Sequence, residues 1–281
     1  MTATPDATAK PVTVQLREIV DRGEVALPPV PEVAIRILEL LKDDSHADAV
    51  TVAELLRKDP ALTATVLRMA NSAMFGGLTT IGDVSLAVAR LGIKRVASIV
   101  TALMHQNNFR VADSSRGAYL NTLWDHSLAT AICARRLAGL TGGDPEEAFL
   151  AGLLHDVGKL LVLKGVEHLE LGEISVTPEL FRELTVSLHP DLGHRILTAW
   201  SLPEGIAGVA LHHHDEEIDS DNLLLAQIQA ANAIVHHLHG PQGGGVAVDS
   251  DAVDRLDLDD LELAGLLVDL EDELAEIRKA L

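Results

Sequence analysis

The tetrapeptide Asp144-Pro145-Glu146-Glu147 limits what this chain can become more than any other stretch of it. It reads as a helix start. The aspartate can accept from open backbone N–H groups of the first turn, and proline suits the first helical position, where its missing N–H costs nothing. Glu147 stands where a capping box needs it. Asp59-Pro60 repeats the signal earlier in the chain. Apolar residues recur around these starts at helical spacing: Val33, Ile37, Leu40 and Leu41, then Leu62, Val66 and Met69. Val84, Val88 and Leu91 follow, and then Val96, Val100 and Leu103. That period belongs to one face of a helix, and no alternating strand pattern of useful length competes with it. Composition agrees, because only 2% of residues are aromatic while 47% are hydrophobic. A core of Leu, Ala, Val and Ile favours helices over sheets.

The expected fold class is therefore all-α. Residues 1–20 read as a mobile tail, 21–115 as a first helical module and 116–242 as a second. Residues 246–281 read as an acidic helical segment beyond the break at Gly243-Gly244-Gly245. In the second module, helices are expected over 119–140 and from Asp144 toward Gly158. Others are expected over 178–184, 190–200, 203–212 and 223–238.

Charge narrows the function. Twenty-two basic residues against 42 acidic ones give −20, distributed as −1 over 1–115, −10 over 116–248 and −9 over 249–281. Such a surface repels a phosphate backbone, and few aromatics are present to stack bases, so direct binding of nucleic acid is not expected. Cys133 is the one cysteine, which excludes an intramolecular disulfide. The first ten residues are polar and lack a signal-peptide core. No apolar run approaches the roughly 20 residues of a membrane span. The expectation is a cytoplasmic protein without membrane contact.

Thirteen histidines remain to be explained. His126 lies on the long helix after Trp124. His155 and Asp156 are neighbours in Gly152-Leu153-Leu154-His155-Asp156-Val157-Gly158-Lys159. His189 precedes Pro190 at an expected helix start, and His212, His213 and His214 end the segment after Pro203. Imidazoles with a carboxylate suit a borderline divalent cation such as iron, manganese, zinc or nickel. Adjacent helical residues diverge by about 100°, so His155 and Asp156 reach one ion only if it sits between their directions. Gly152 leaves room for that approach. A metal there lowers the pKa of bound water, and Lys159 is placed to face an anionic group such as phosphate. Each element also has a plainer reading: His126 as a hydrogen-bonded core histidine, Asp156 as an orienting or capping group, and the triple histidine as a solvated helix end. His236, His237 and His239 read as surface residues.

These residues in combination resemble the HDOD family, a divergent signalling branch of the HD-domain superfamily. The first module carries Leu27-Pro28-Pro29-Val30-Pro31-Glu32, Lys58-Asp59-Pro60-Ala61-Leu62-Thr63 and Arg68-Met69-Ala70-Asn71-Ser72-Ala73. The second carries His126-Ser127-Leu128-Ala129-Thr130-Ala131 and the segment from Ala151 to Lys159. The resemblance runs from Leu27 to about His214. It implies a helical bundle in two packed subdomains, the second HD-like, and a regulatory role exercised on a signalling protein partner, mostly without catalysis.

Metal-dependent HD phosphohydrolases, to which the second module is similar, imply an alternative function. By that likeness His126, His155 and Asp156 are metal ligands, His189 matches an added histidine of the cyclic-dinucleotide phosphodiesterase branch, and His213 and His214 match its histidine pair. The late aspartate of the pattern falls at Asn232, whose neutral amide weakens cation binding and accepts no proton. The Gly-Tyr-Pro signature is absent after His214. A second way to complete the site is a different register, with Asp215 supplying the carboxylate.

Overall fold

Aspartates begin the helices that the sequence marks. The computed structural model describes residues 11–27, 32–42, 48–76, 79–109, 114–172, 174–215, 222–239 and 251–280. Among these the elements are α1 (Val12–Asp21), α2 (Glu32–Lys42), α3 (Ala49–Leu56), α4 (Pro60–Ala70), α5 (Val84–Leu91) and α6 (Ile93–Asn108). They are followed by α7 (Ser114–Thr141), α8 (Pro145–Leu154), α9 (Gly158–Leu171), α10 (Pro178–Ala199) and α11 (Glu204–His212). α12 (Leu223–His239), α13 (Asp251–Asp254) and α14 (Asp260–Ala280) complete the chain. No strand occurs among the described residues, and the fold is all-α.

Asp59 Oδ1 accepts from the N–H groups of Ala61 and Leu62 at 2.8 and 3.2 Å, and Asp144 Oδ1 from those of Glu146 and Glu147 at 3.0 and 3.3 Å. Asp83 caps α5 in the same way. Such a cap is worth about 1 kcal/mol, so three of them fix where helices begin without deciding how they pack. Gly92 then separates α5 from α6 with φ of 84°, a backbone setting that side-chain-bearing residues rarely adopt. Asn71, in one of the family-like motifs, donates to the carbonyls of Leu67 and Ile81 and accepts from the N–H of Ile81. Its amide thereby ties the end of α4 to the segment that enters α5.

α2, α4 and α5 pack against α6, α3 packs on α5, and α6 also packs against α8. Lys94 of α6 pairs with Asp144 at 2.5 Å, and Arg95 with Glu146 at 2.7 Å. These contacts bring the start of α6 to the start of α8, and the buried apolar residues of the described chain form one core. α8 packs on α7, α9 on α10, and α12 lies across α7 and α8. The acidic α14 docks on α7 through Leu266, Leu270, Leu274 and Ile277. Its Glu273 is buried against Arg135 and bonds Arg136 Nε at 2.6 Å.

Three local expectations are corrected. Residues expected in a tail are helical from Val12 on, because Leu16 is buried against Gly165 of α9, where a side chain would collide with it. The helix begun at Asp144 stops at Leu154, and His155–Val157 form a turn before α9. Residues 178–184 and 190–200 are not two helices but one, α10, which carries Pro190 inside it. The motif at 27–32 and the loop after Asp215 fall largely outside the described residues.

Candidate metal centre

Two close helix approaches bring the chemistry together. A Cβ on Gly152 would lie 2.9 Å from the Cα of Ala131 and 3.0 Å from the carbonyl oxygen of Thr130. The missing side chain of Gly152 therefore serves the contact between α7 and α8, not the approach of an ion. A Cβ on Gly158 would come within 2.0 Å of the His189 carbonyl oxygen and 2.6 Å of the Gly193 nitrogen. The backbones of α9 and α10 touch there, which carries His189 to Asp156.

Asp156 is buried at the centre. Its Oδ2 faces His126 Nε2 at 3.6 Å, His155 Nε2 at 3.3 Å and the Lys159 ammonium at 2.5 Å. Its Oδ1 faces His189 Nε2 at 3.4 Å and His213 Nε2 at 3.6 Å and has no hydrogen-bond partner. His214 joins this second group, with its ring 4.1 Å from that of His213. All six histidines and carboxylates singled out in the sequence thus lie in two groups that share Asp156, and within each group the ligand atoms lie within 4.8 Å of one another. His212 lies apart, bonded to Asp215 at 2.7 Å. Asp215 is exposed and engaged with His212, so it does not complete the cluster in place of Asn232.

The tautomers follow from the backbone. His155 Nδ1 lies 2.8 Å from the Gly152 carbonyl, His189 Nδ1 2.6 Å from that of Thr185, and His213 Nδ1 3.0 Å from that of Ala210. A carbonyl only accepts, so each Nδ1 carries the proton and each Nε2 presents a lone pair in the neutral ring. His189 and His213 then face each other, Nε2 to Nε2, at 3.2 Å, and both face the unpartnered Asp156 Oδ1. His126 and His155 meet in the same way at 3.4 Å. Around Asp156 Oδ1, lone pairs and an anion thus converge with no donor among them, so a proton or a cation has to come between. This donor set fits a divalent transition metal, and the carbonyl contacts are the outer bonds that usually orient metal-bound histidines.

Burial supplies the electrostatics. It drives His126 and His189 down to about 3 and His214 down to about 4, with neighbouring histidines adding to the effect at His126 and His214. His213 is lowered by burial as well. Burial alone would raise Asp156. Its electrostatic interactions with His155 and Lys159 nevertheless hold it well below the ordinary carboxylate range. Neutral imidazoles at His126, His189, His213 and His214 and an ionised Asp156 are the forms that ligate a metal.

Three residues near the cluster were not picked out from sequence. The ring of His236 lies 4.7 Å from that of His126. Tyr119 is pushed up to about 12 by burial and by the Asp156 charge. It precedes His126 by two turns of α7, a spacing that could have flagged it. His105 of α6 is fully buried with neither ring nitrogen bonded, and burial takes it down to about 3.

The HDOD domain model matches residues 27–216 of this chain. An HDOD domain protein with unknown function from Geobacter sulfurreducens is 26% identical, with 95% of this chain and 96% of that one covered at a TM-score of 0.70. A Shewanella amazonensis SB2B structure named "Putative metal-dependent phosphohydrolase" is 22% identical, with 96% and 97% covered at a TM-score of 0.75, a likeness of fold. A curated relative from Treponema pallidum (strain Nichols), named only as an uncharacterized protein, is 24% identical over 224 residues. That alignment takes in 75% of this chain and 43% of the relative, so the chain spans less than half of the relative's length. His126, His155, Asp156, His189, His213 and His214 all fall within the matched span, and the chain belongs to the HDOD family.

Proposed function

We propose that this is a regulatory HDOD protein that holds a divalent transition-metal ion at Asp156 and acts on a signalling partner by binding, without turning over a phosphodiester. The observation that carries the metal reading is the unpartnered Asp156 Oδ1 facing the bare Nε2 atoms of His189 and His213. In this reading His126, His155 and Asp156 form one ligand group, and Asp156, His189, His213 and His214 form the other. Iron, manganese, zinc and nickel all accept such a set, with imidazole-rich sites favouring the later ions. A bound ion would supply Lewis acidity and a more acidic water.

Binding is favoured over catalysis by the residues around that position. By the resemblance to HD phosphohydrolases, Asn232 takes the place of their late aspartate, and its amide takes up no proton. His155, Asp156, His189 and His213 are buried, as expected of an ion held for structure or sensing, whereas catalytic metals keep an open position. Lys159 already bonds Asp156 and is not a free phosphate anchor.

A second reading, a metal-dependent phosphohydrolase, is favoured by Lys159 itself. Its ammonium lies beside the ligand carboxylate, partly open to solvent, and would move to a substrate phosphate if an ion took over the charge of Asp156. Metal analysis of the purified protein, combined with hydrolysis assays on cyclic di-GMP and a generic phosphodiester, separates the two readings. Metal without turnover supports the first. Metal-dependent turnover that is abolished in Asp156→Asn supports the second.

A further inference from the structure

The N-terminal ends of α8 and α11 meet the first module across a cavity of about 220 Å³. Leu38 of α2, Leu150 of α8 and Ile206 of α11 wall it, and Lys94, Asp144, Glu146 and Glu147 supply its polar part. Two of these charged groups are already committed, since Lys94 pairs with Asp144, which also caps α8. Glu146 is only 8% exposed, and its Oε1 accepts from Arg95 Nε at 2.7 Å. Its Oε2 is buried and has no hydrogen-bond partner among the described residues. A buried carboxylate oxygen without a donor is costly, and a cationic donor removes that cost through a charge-assisted bond. Glu147 adds a further acidic group, its Oε1 lying 3.6 Å from where a Cβ on Gly205 would stand. Three carboxylates against one ammonium leave the lining acidic.

We propose that this cavity binds a short aliphatic amine, with its ammonium on Glu146 Oε2 and its carbon chain among Leu38, Leu150 and Ile206. Size, walls and the unpartnered oxygen each narrow the choice of ligand. Pockets for drug-sized ligands hold roughly 300–1,000 Å³, so this one suits a chain of a few carbons and not a nucleotide. A metal ion needs several oxygen, nitrogen or sulfur ligands around it, and the apolar walls offer none. A guanidinium uses both oxygens of a carboxylate for its fork, but Arg95 already holds Oε1. An ammonium is a point charge that a single oxygen can receive. An occupant would bridge the modules, with α2 on one side and α8 and α11 on the other. His155 and Asp156 follow the far end of α8, and His213 follows that of α11, so the amine site does not depend on the metal reading.

The test is NMR titration of the full chain with n-butylamine, and with n-butanol and n-butylguanidine for comparison, repeated on Glu146→Gln and Leu38→Trp. Far-UV circular dichroism checks that each variant folds. Leu38→Trp fills the cavity and leaves the carboxylate in place, so it serves if Glu146→Gln does not fold. Wild type should bind n-butylamine saturably and about tenfold or more tightly than either comparison compound. Each folded variant should weaken that binding about tenfold or more, the share of one charge-assisted bond or of the buried chain. Binding of n-butylamine that is unchanged in a folded variant would put the amine elsewhere on the acidic surface and overturn the proposal. Equal binding of n-butanol or n-butylguanidine, or no saturable binding of the amine, would overturn it as well. Metal content is measured separately, so failure here leaves the metal reading untouched.

Discussion

Lys159 and Asp156 are joined at 2.5 Å, and the carboxylate oxygen that takes the ammonium is the one that His126 and His155 also face. The lysine therefore balances the buried charge in the absence of an ion and competes with any ion that arrives. Lys159→Met should make the metal-free protein less stable by about 3–5 kcal/mol, the usual cost of leaving one member of a buried pair alone. It should also remove a positive charge that opposes the cation. Added zinc should thus raise the melting temperature of Lys159→Met more than that of wild type. An equal or smaller zinc-induced rise in the variant would show that the lysine does not oppose the ion.

Gly158 is the contact on which the second ligand group depends. A methyl group there would meet backbone atoms of His189 and Gly193, which have no flexible end to yield. Gly158→Ala should destabilise the protein by roughly 1–3 kcal/mol, as overpacking does, and should weaken metal binding by shifting α10 and His189. Urea unfolding and metal titration measure the two effects separately. A variant with wild-type stability would contradict the close approach of α9 and α10.

Acid should destabilise the metal-free protein well above the range where carboxylates protonate. His105, His126 and His189 sit at about 3 in the folded protein against an ordinary 6.5, so the unfolded chain binds more protons between those limits. Their neutral forms impose no penalty above pH 6.5, and stability falls as pH drops from about 6.5 toward 3. The slope approaches about 1.4 kcal/mol per pH unit for each histidine. Asp156, held low, stays ionised through that window. His105→Phe should flatten the slope by about one histidine's share. Chemical denaturation at pH 7, 6, 5 and 4 would show this, and a flat profile in wild type would refute the buried neutral histidines.

Much of the cluster could be read from sequence because its residues sit beside strong local signals. His155 and Asp156 follow the helix begun at Asp144-Pro145, and His213 and His214 follow the one begun after Pro203. Asn232 stood out because an expected carboxylate was missing there. Features set by packing between helices were less legible. Pro190 reads locally as a helix start, yet the burial of Leu188, His189 and Leu192 holds α10 continuous across it. Gly152 reads as space for an ion, and only the position of α7 shows what fills it. His236 reads as a surface residue and is exposed, and only the packing of α12 on α7 shows that its ring reaches that of His126.

The central claim is that the protein binds a transition metal at Asp156 without hydrolysing phosphodiesters. Its most direct test is the metal content of wild type and Asp156→Asn, measured alongside turnover of cyclic di-GMP with added manganese, zinc or iron. The account predicts bound metal in wild type, its loss in Asp156→Asn, and no metal-dependent turnover by either. Metal-dependent hydrolysis by wild type that disappears in Asp156→Asn would contradict it.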